Sequence, residues 1–256
     1  MSYSRYIALG DQTSMDHFPA LDAGAAGVAV SLEFDPKAGE VPPLGAASLL
    51  HRNDDERWPE FTADDLVTRA PDVVYTNLCT DGATIGDVFA DQLEGLELAM
   101  EADDDERAGE TLVTLTVGNN DLLFAVMNRP SATLLASIVR DIGQAYEALV
   151  LAIRGRAPDA RILLTTIYDP TDGTASADGI LDTKGDLPLD QLQALNDAIR
   201  ALAVRTPNAE VADAYVHFHG HGMSVPVDER WYWRRSIIEP SAIGASELRR
   251  IWLELL

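Results

Sequence analysis

Short apolar runs alternate along the chain with longer stretches in which apolar residues recur every three or four positions. The first run, Ile7-Ala8-Leu9, stops at Gly10-Asp11-Gln12-Thr13-Ser14, small and polar residues that close a strand and open a helix. Runs at 72–78, 111–117, 161–168 and 210–215 predict four more strands. Helical spacing predicts helices over 60–69, 131–153, 189–205 and 241–255, the second with Leu134, Leu135, Ile138, Ile142, Tyr146 and Leu149 at helical spacing. Strands alternating with helices imply an α/β fold, a mainly parallel sheet wrapped on both faces, in one domain over 1–256. Residues 17–57 break the pattern with Pro19, Pro36, Pro42 and Pro43, which predicts a loop insertion over the sheet edge.

Charge narrows the partners. The formal net charge of −23 argues against phosphate-rich nucleic acid and anionic membrane as partners. Lys37 and Lys184 are the only lysines, a bias that fits either a high-salt habitat or a GC-rich genome. The run Glu101-Ala102-Asp103-Asp104-Asp105-Glu106 reads as a solvated loop. No run approaches the roughly 20 apolar residues of a membrane span. The N-terminus lacks a signal-peptide core, and Cys79 is the sole cysteine, so a cytoplasmic location is expected.

Three of the strand ends, near 10–14, 80–84 and 118–121, combine glycine with Asp, Asn or Thr. A parallel sheet brings such turns to its carboxyl edge, where ligands bind. The first resembles block I (Gly-Asp-Ser-x-Ser) of the SGNH, or GDSL-type, hydrolases. Residues 77–92 are similar to block II with Gly82 at its glycine, and Gly118-Asn119-Asn120-Asp121 to block III with Asn120 at its asparagine. The stretches 167–170 and 195–199 fit the family's late strand and following helix. The resemblance implies a three-layer α/β/α sandwich, no cofactor and no catalytic metal. It makes the Gly82 N–H and the Asn120 amide donors to an acyl oxyanion, a geometry that stabilises developing negative charge. Taken as a turn residue instead, Asn120 would simply tie two loops together.

The same resemblance exposes a gap. Gln12 stands where the family keeps its nucleophilic serine, Ser236 where it keeps the orienting aspartate, and Glu239 where it keeps the basic histidine. An amide is no nucleophile and offers a base nothing to remove. Two functions follow. One is an SGNH-like hydrolase of a small ester or related acyl substrate, with water as nucleophile, Glu239 or a nearby histidine as base, and Asp11 and Gln12 lining the pocket. The other is a non-catalytic small-molecule-binding protein using the same pocket. Glu239 can instead serve the first turn of the last helix, and Ser14 fits local hydrogen bonding or a displaced nucleophile. His217, His219 and His221 at alternate positions suit a pocket rim, a substitute base or a metal site. Trp231, followed by Tyr232-Trp233-Arg234-Arg235, suits either a substrate wall or simple packing.

Overall fold

The structure is a computed structural model that describes residues 3–24, 41–101, 110–176 and 186–256. Five parallel strands form the sheet: β1 (Tyr3–Gly10), β2 (Val74–Asn77), β3 (Glu110–Thr116), β4 (Arg161–Thr165) and β5 (Ala209–Ala212), in the order β2-β1-β3-β4-β5. A two-stranded antiparallel hairpin, β6 (Tyr232–Trp233) and β7 (Ser236–Pro240), stands apart. The helices are α1 (His17–Asp22), α2 (Ala46–His51), α3 (Leu66–Arg69), α4 (Ile85–Asp87), α5 (Leu93–Glu101), α6 (Asn119–Met127), α7 (Ala132–Arg156), α8 (Leu189–Arg205), α9 (Ala214–His217) and α10 (Ala242–Leu253).

Two apolar cores flank the sheet, as expected when both faces of parallel strands are covered. One packs α5, α7 and α8 against Ile7, Leu9, Val113, Leu115, Ile162 and Leu164. The other packs α2 and α10 against Tyr6, Ala8, Leu112 and Leu163. Alternate residues of each strand thus serve opposite cores. Helix α7 begins at Ser131, whose hydroxyl accepts from the Leu134 N–H. Ser131→Ala should cost about 1 kcal/mol, read as a lower midpoint in thermal unfolding; an unchanged midpoint would mean that water replaces the cap.

The expected helix over 60–69 is broken. A 3₁₀ turn, Pro59–Phe61, gives way to Ala63 at φ 65°, and α3 restarts only after Asp65 accepts from the Thr68 N–H. The insertion over 17–57 is not plain loop where it is described, since it carries α1 and α2; Asp16 joins them to the first turn by accepting from Gly45 N and Ser48 Oγ at 2.7 and 3.0 Å. Most of the acidic run expected as a solvated loop, from Ala102 onward, lies outside the described residues. No helix among the described residues is long and apolar enough to cross a membrane.

Candidate active site

The site is built where β1 ends. Gly10 has φ 130°, and a Cβ there would lie 1.8 Å from the Thr116 carbonyl oxygen, so only glycine lets β1 and β3 approach this closely. Its peptide is clamped from the far side by Gln92, whose side chain accepts from Gly10 N and donates to Gly10 O, both at 2.8 Å. Gln92 reaches that position from a π turn, Val88–Gln92, set between α4 and α5. Such widened turns recur at functional sites. Beyond Gly10, Asp11 accepts from the Thr13 N–H at 3.0 Å and starts the 3₁₀ turn Gln12–Ser14.

The turn after β2 supplies Gly82, at φ 73°, and the start of α6 supplies Asn120. These two and Gln12 meet. The Gly82 N–H donates to Gln12 Oε1 at 3.1 Å, and Asn120 Nδ2 donates to the same oxygen at 3.0 Å. Gln12 Nε2 returns a hydrogen bond to Asn120 Oδ1 at 3.2 Å. A backbone N–H can meet only the oxygen of an amide, so Gly82 fixes which way the Gln12 amide faces. Asn120 is held in turn by donating to the Ala83 carbonyl at 2.9 Å. Both donors expected to face an acyl oxygen therefore face the chain's own carbonyl.

Glu239 is brought to this centre by an irregular hairpin. Tyr232 pairs with Pro240 but Trp233 with Ser236, so residues 237–239 bulge from the ladder, and Tyr168 pins the bulge by donating to the Ile238 carbonyl at 2.8 Å. Bulges beside functional sites re-aim side chains in this way. Glu239 is 6% exposed and its Oε2 has no hydrogen-bond partner. Burial, with Asp81 and Asp11 nearby, pushes its carboxyl up to about 8, while Gln12 beside it pulls the other way. It does not serve the last helix: Ser241 caps α10 through the Gly244 N–H, and Asp22 accepts from Ala242 N. Asp11, 1% exposed, is pushed up to about 7, again by burial first.

The remaining candidates have other partners. Ser14 is fully buried and shares a hydrogen bond with Thr116 at 2.8 Å, which uses its hydroxyl locally. His217, at the end of α9 rather than on a strand, bonds to Glu247 at 3.0 Å. His221 stacks on Trp231 at 3.6 Å between ring centroids, and His219 lies beside Gly173. Trp231 also meets Phe218 edge-on, which makes it a packing residue of this segment. Asp81, next to Gly82 in the same turn, had no part in the sequence reading, and its carboxyl is raised by burial.

A model of the GDSL-like lipase/acylhydrolase family matches residues 40–244, most of the chain. The chain belongs to the GDSL-like lipase/acylhydrolase family. Its family chemistry in general is the hydrolysis of ester bonds. Similar solved structures agree on the fold. A phospholipase A1 from Streptomyces albidoflavus shares 18% identity at a TM-score of 0.56, covering 99% of both chains. An extracellular lipase from Streptomyces rimosus shares 18% at 0.55, covering 98% of both. An acetyl xylan esterase shares 15% at 0.55, covering 98% of this chain and 99% of its own. No curated protein matches. This GDSL-family chain thus shares the fold of these structures, while its own residue 12 is an amide.

Proposed function

We propose that this GDSL-family protein binds a small molecule in the cleft at the carboxyl edge of its sheet and does not carry out serine-based ester hydrolysis. One observation carries the reading: the Gln12 carbonyl lies 3.1 and 3.0 Å from the two donors that an acyl oxygen would need. A substrate carbonyl must first displace it and break the reciprocal bond to Asn120. Each such bond contributes about 1 kcal/mol net, and no hydroxyl stands at residue 12 to attack afterwards.

Ester hydrolysis with water as the nucleophile is the second reading, favoured by Glu239. Its unpaired Oε2 lies in the same centre, and a carboxylate there would accept a proton from water. With the carboxyl pushed up to about 8, the basic form dominates only above that pH. The two readings separate in one assay of short-chain ester turnover by wild type and Glu239→Gln, at about pH 7 and about pH 9. Binding alone predicts no turnover by either protein and recovery of bound ligand unchanged. Turnover that rises across about pH 8 and vanishes in Glu239→Gln would establish water-based hydrolysis instead.

A further inference from the structure

A second, smaller space lies beside the Gln12 turn, walled by Asp11, Thr116, Asn119, Thr166, Ile167 and Tyr168, with a volume of about 10 Å³. That is close to the room one water-sized group needs. Two of the residues walling it carry buried polar atoms with no hydrogen-bond partner in the protein, Asp11 Oδ2 and Asn119 Nδ2. The other carboxylate oxygen of Asp11 is taken by the Thr13 N–H. Nearby hydroxyls are engaged: Thr116 with Ser14 at 2.8 Å, and Thr166 with Asp213 at 3.0 Å. An ionised carboxylate oxygen only accepts and an amide nitrogen only donates, so the pair calls for one group that does both. Asn119, Ile167 and Tyr168 also wall an outer cavity of about 70 Å³, otherwise lined mainly by apolar residues such as Leu122, Val126, Leu192 and Ile238.

We infer that these adjoining spaces form a binding site for a short aliphatic alcohol, whose hydroxyl donates to Asp11 Oδ2 and accepts from Asn119 Nδ2. Its chain lies in the outer cavity, which on the same scale has room for several carbons. A ketone brings no hydrogen for Asp11, and an ammonium accepts nothing from Asn119. Water meets the same two polar atoms, and the apolar walls are what favour the alcohol over it. The inference rests on the binding reading for its purpose, and it names the ligand class.

Titration of the full chain at about pH 8, where Asp11 is ionised despite being pushed up to about 7, with 1-propanol and, separately, with acetone tests it, followed by NMR at the Asn119 side-chain amide and the Thr13 N–H. Propanol should shift both signals saturably, with acetone weaker by about tenfold or more, as expected for a lost hydrogen bond to a charged group. Asn119→Leu should weaken propanol by about tenfold, and Leu123→Trp, on the outer wall, should block the chain without removing the polar pair. Acetone binding as well as propanol would overturn the proposal, as would undiminished propanol binding by Asn119→Leu. A water contact at the Asn119 amide that persists at saturating propanol would also overturn it, since water alone would then hold the site. If Asn119→Leu does not fold, the acetone comparison on wild type decides. Ester turnover is read independently of propanol binding, so failure of the binding reading and failure of this site are told apart.

Discussion

Replacing Gln12 by leucine is expected to cost this protein about 2 kcal/mol of stability, because it leaves one buried Asn120 N–H without an acceptor and the Asn120 carbonyl without a donor, while the exposed Gly82 N–H turns to solvent. Leucine is near glutamine in size, so cavity formation is not the cause. A urea midpoint measured beside Gln12→Glu sharpens the point. Glutamate keeps the acceptor for Gly82 and Asn120 and adds buried negative charge next to Glu239 and Asp11, so it should be destabilised only when that charge is present, above neutral pH. A leucine variant as stable as wild type would show that the amide pair holds nothing together and would remove the basis for regarding the donors as occupied.

The second large effect concerns pH. Asp11 and Glu239 are raised by burial to about 7 and about 8, and Asp16 to about 6. A raised carboxyl is held protonated by the folded chain while the unfolded chain releases its proton. The resulting stability is complete below about pH 4 and is lost as pH climbs through the folded-state values, up to about 8. At about 1.4 kcal/mol per unit the combined loss should reach at least about 3 kcal/mol between about pH 5 and about pH 8. Glu247 has the opposite sign: held down to about 2 by His217 and Arg250 against its own burial, it contributes stability that disappears as pH falls below about 4. The stability maximum should therefore sit near pH 4. Denaturant titrations across this range check it, with Glu239→Gln expected to flatten the upper part of the decline and Asp11→Asn the middle. A flat profile in wild type would mean that these carboxyls are hydrated.

Much of the fold was written in local pattern. The helix over Leu189–Arg205 matches its prediction at both ends, and β3 falls within one residue of its own, because both carry strong apolar periodicity. Helix α6 had no such signal, since Leu122, Leu123, Phe124, Val126 and Met127 surround it with apolar side chains and leave no polar face. The break at Ala63 was hidden because neither glycine nor proline marks the left-handed residue. The hairpin Tyr232–Trp233 with Ser236–Pro240 is too short and too irregular for alternation to show.

For the site, strand-end chemistry brought Gln12, Gly82 and Asn120 to one edge of the sheet. It did not reveal that the Gln12 amide turns onto the other two, a contact spanning 108 residues that depends on side-chain reach. Nor did it show that residues 237–239 bulge to deliver Glu239, because a bulge is a property of pairing rather than of composition. The three histidines looked like a cluster in sequence, yet His217 bonds to Glu247, His221 stacks on Trp231, which His217 also touches, and His219 lies beside the Gly173 turn.

The Gln12 carbonyl also has a competitive meaning. A carbonyl tethered to the backbone beside its own pair of donors acts at an effective concentration of millimolar or more, whereas a dissolved ester approaches at whatever concentration the surroundings supply. A diffusing carbonyl thus begins every encounter at a disadvantage that carbonyl recognition alone cannot reverse. Selectivity passes to the rest of the molecule, to whichever ligand makes its best contacts along Leu192, Ile238 and the other walls of the cleft.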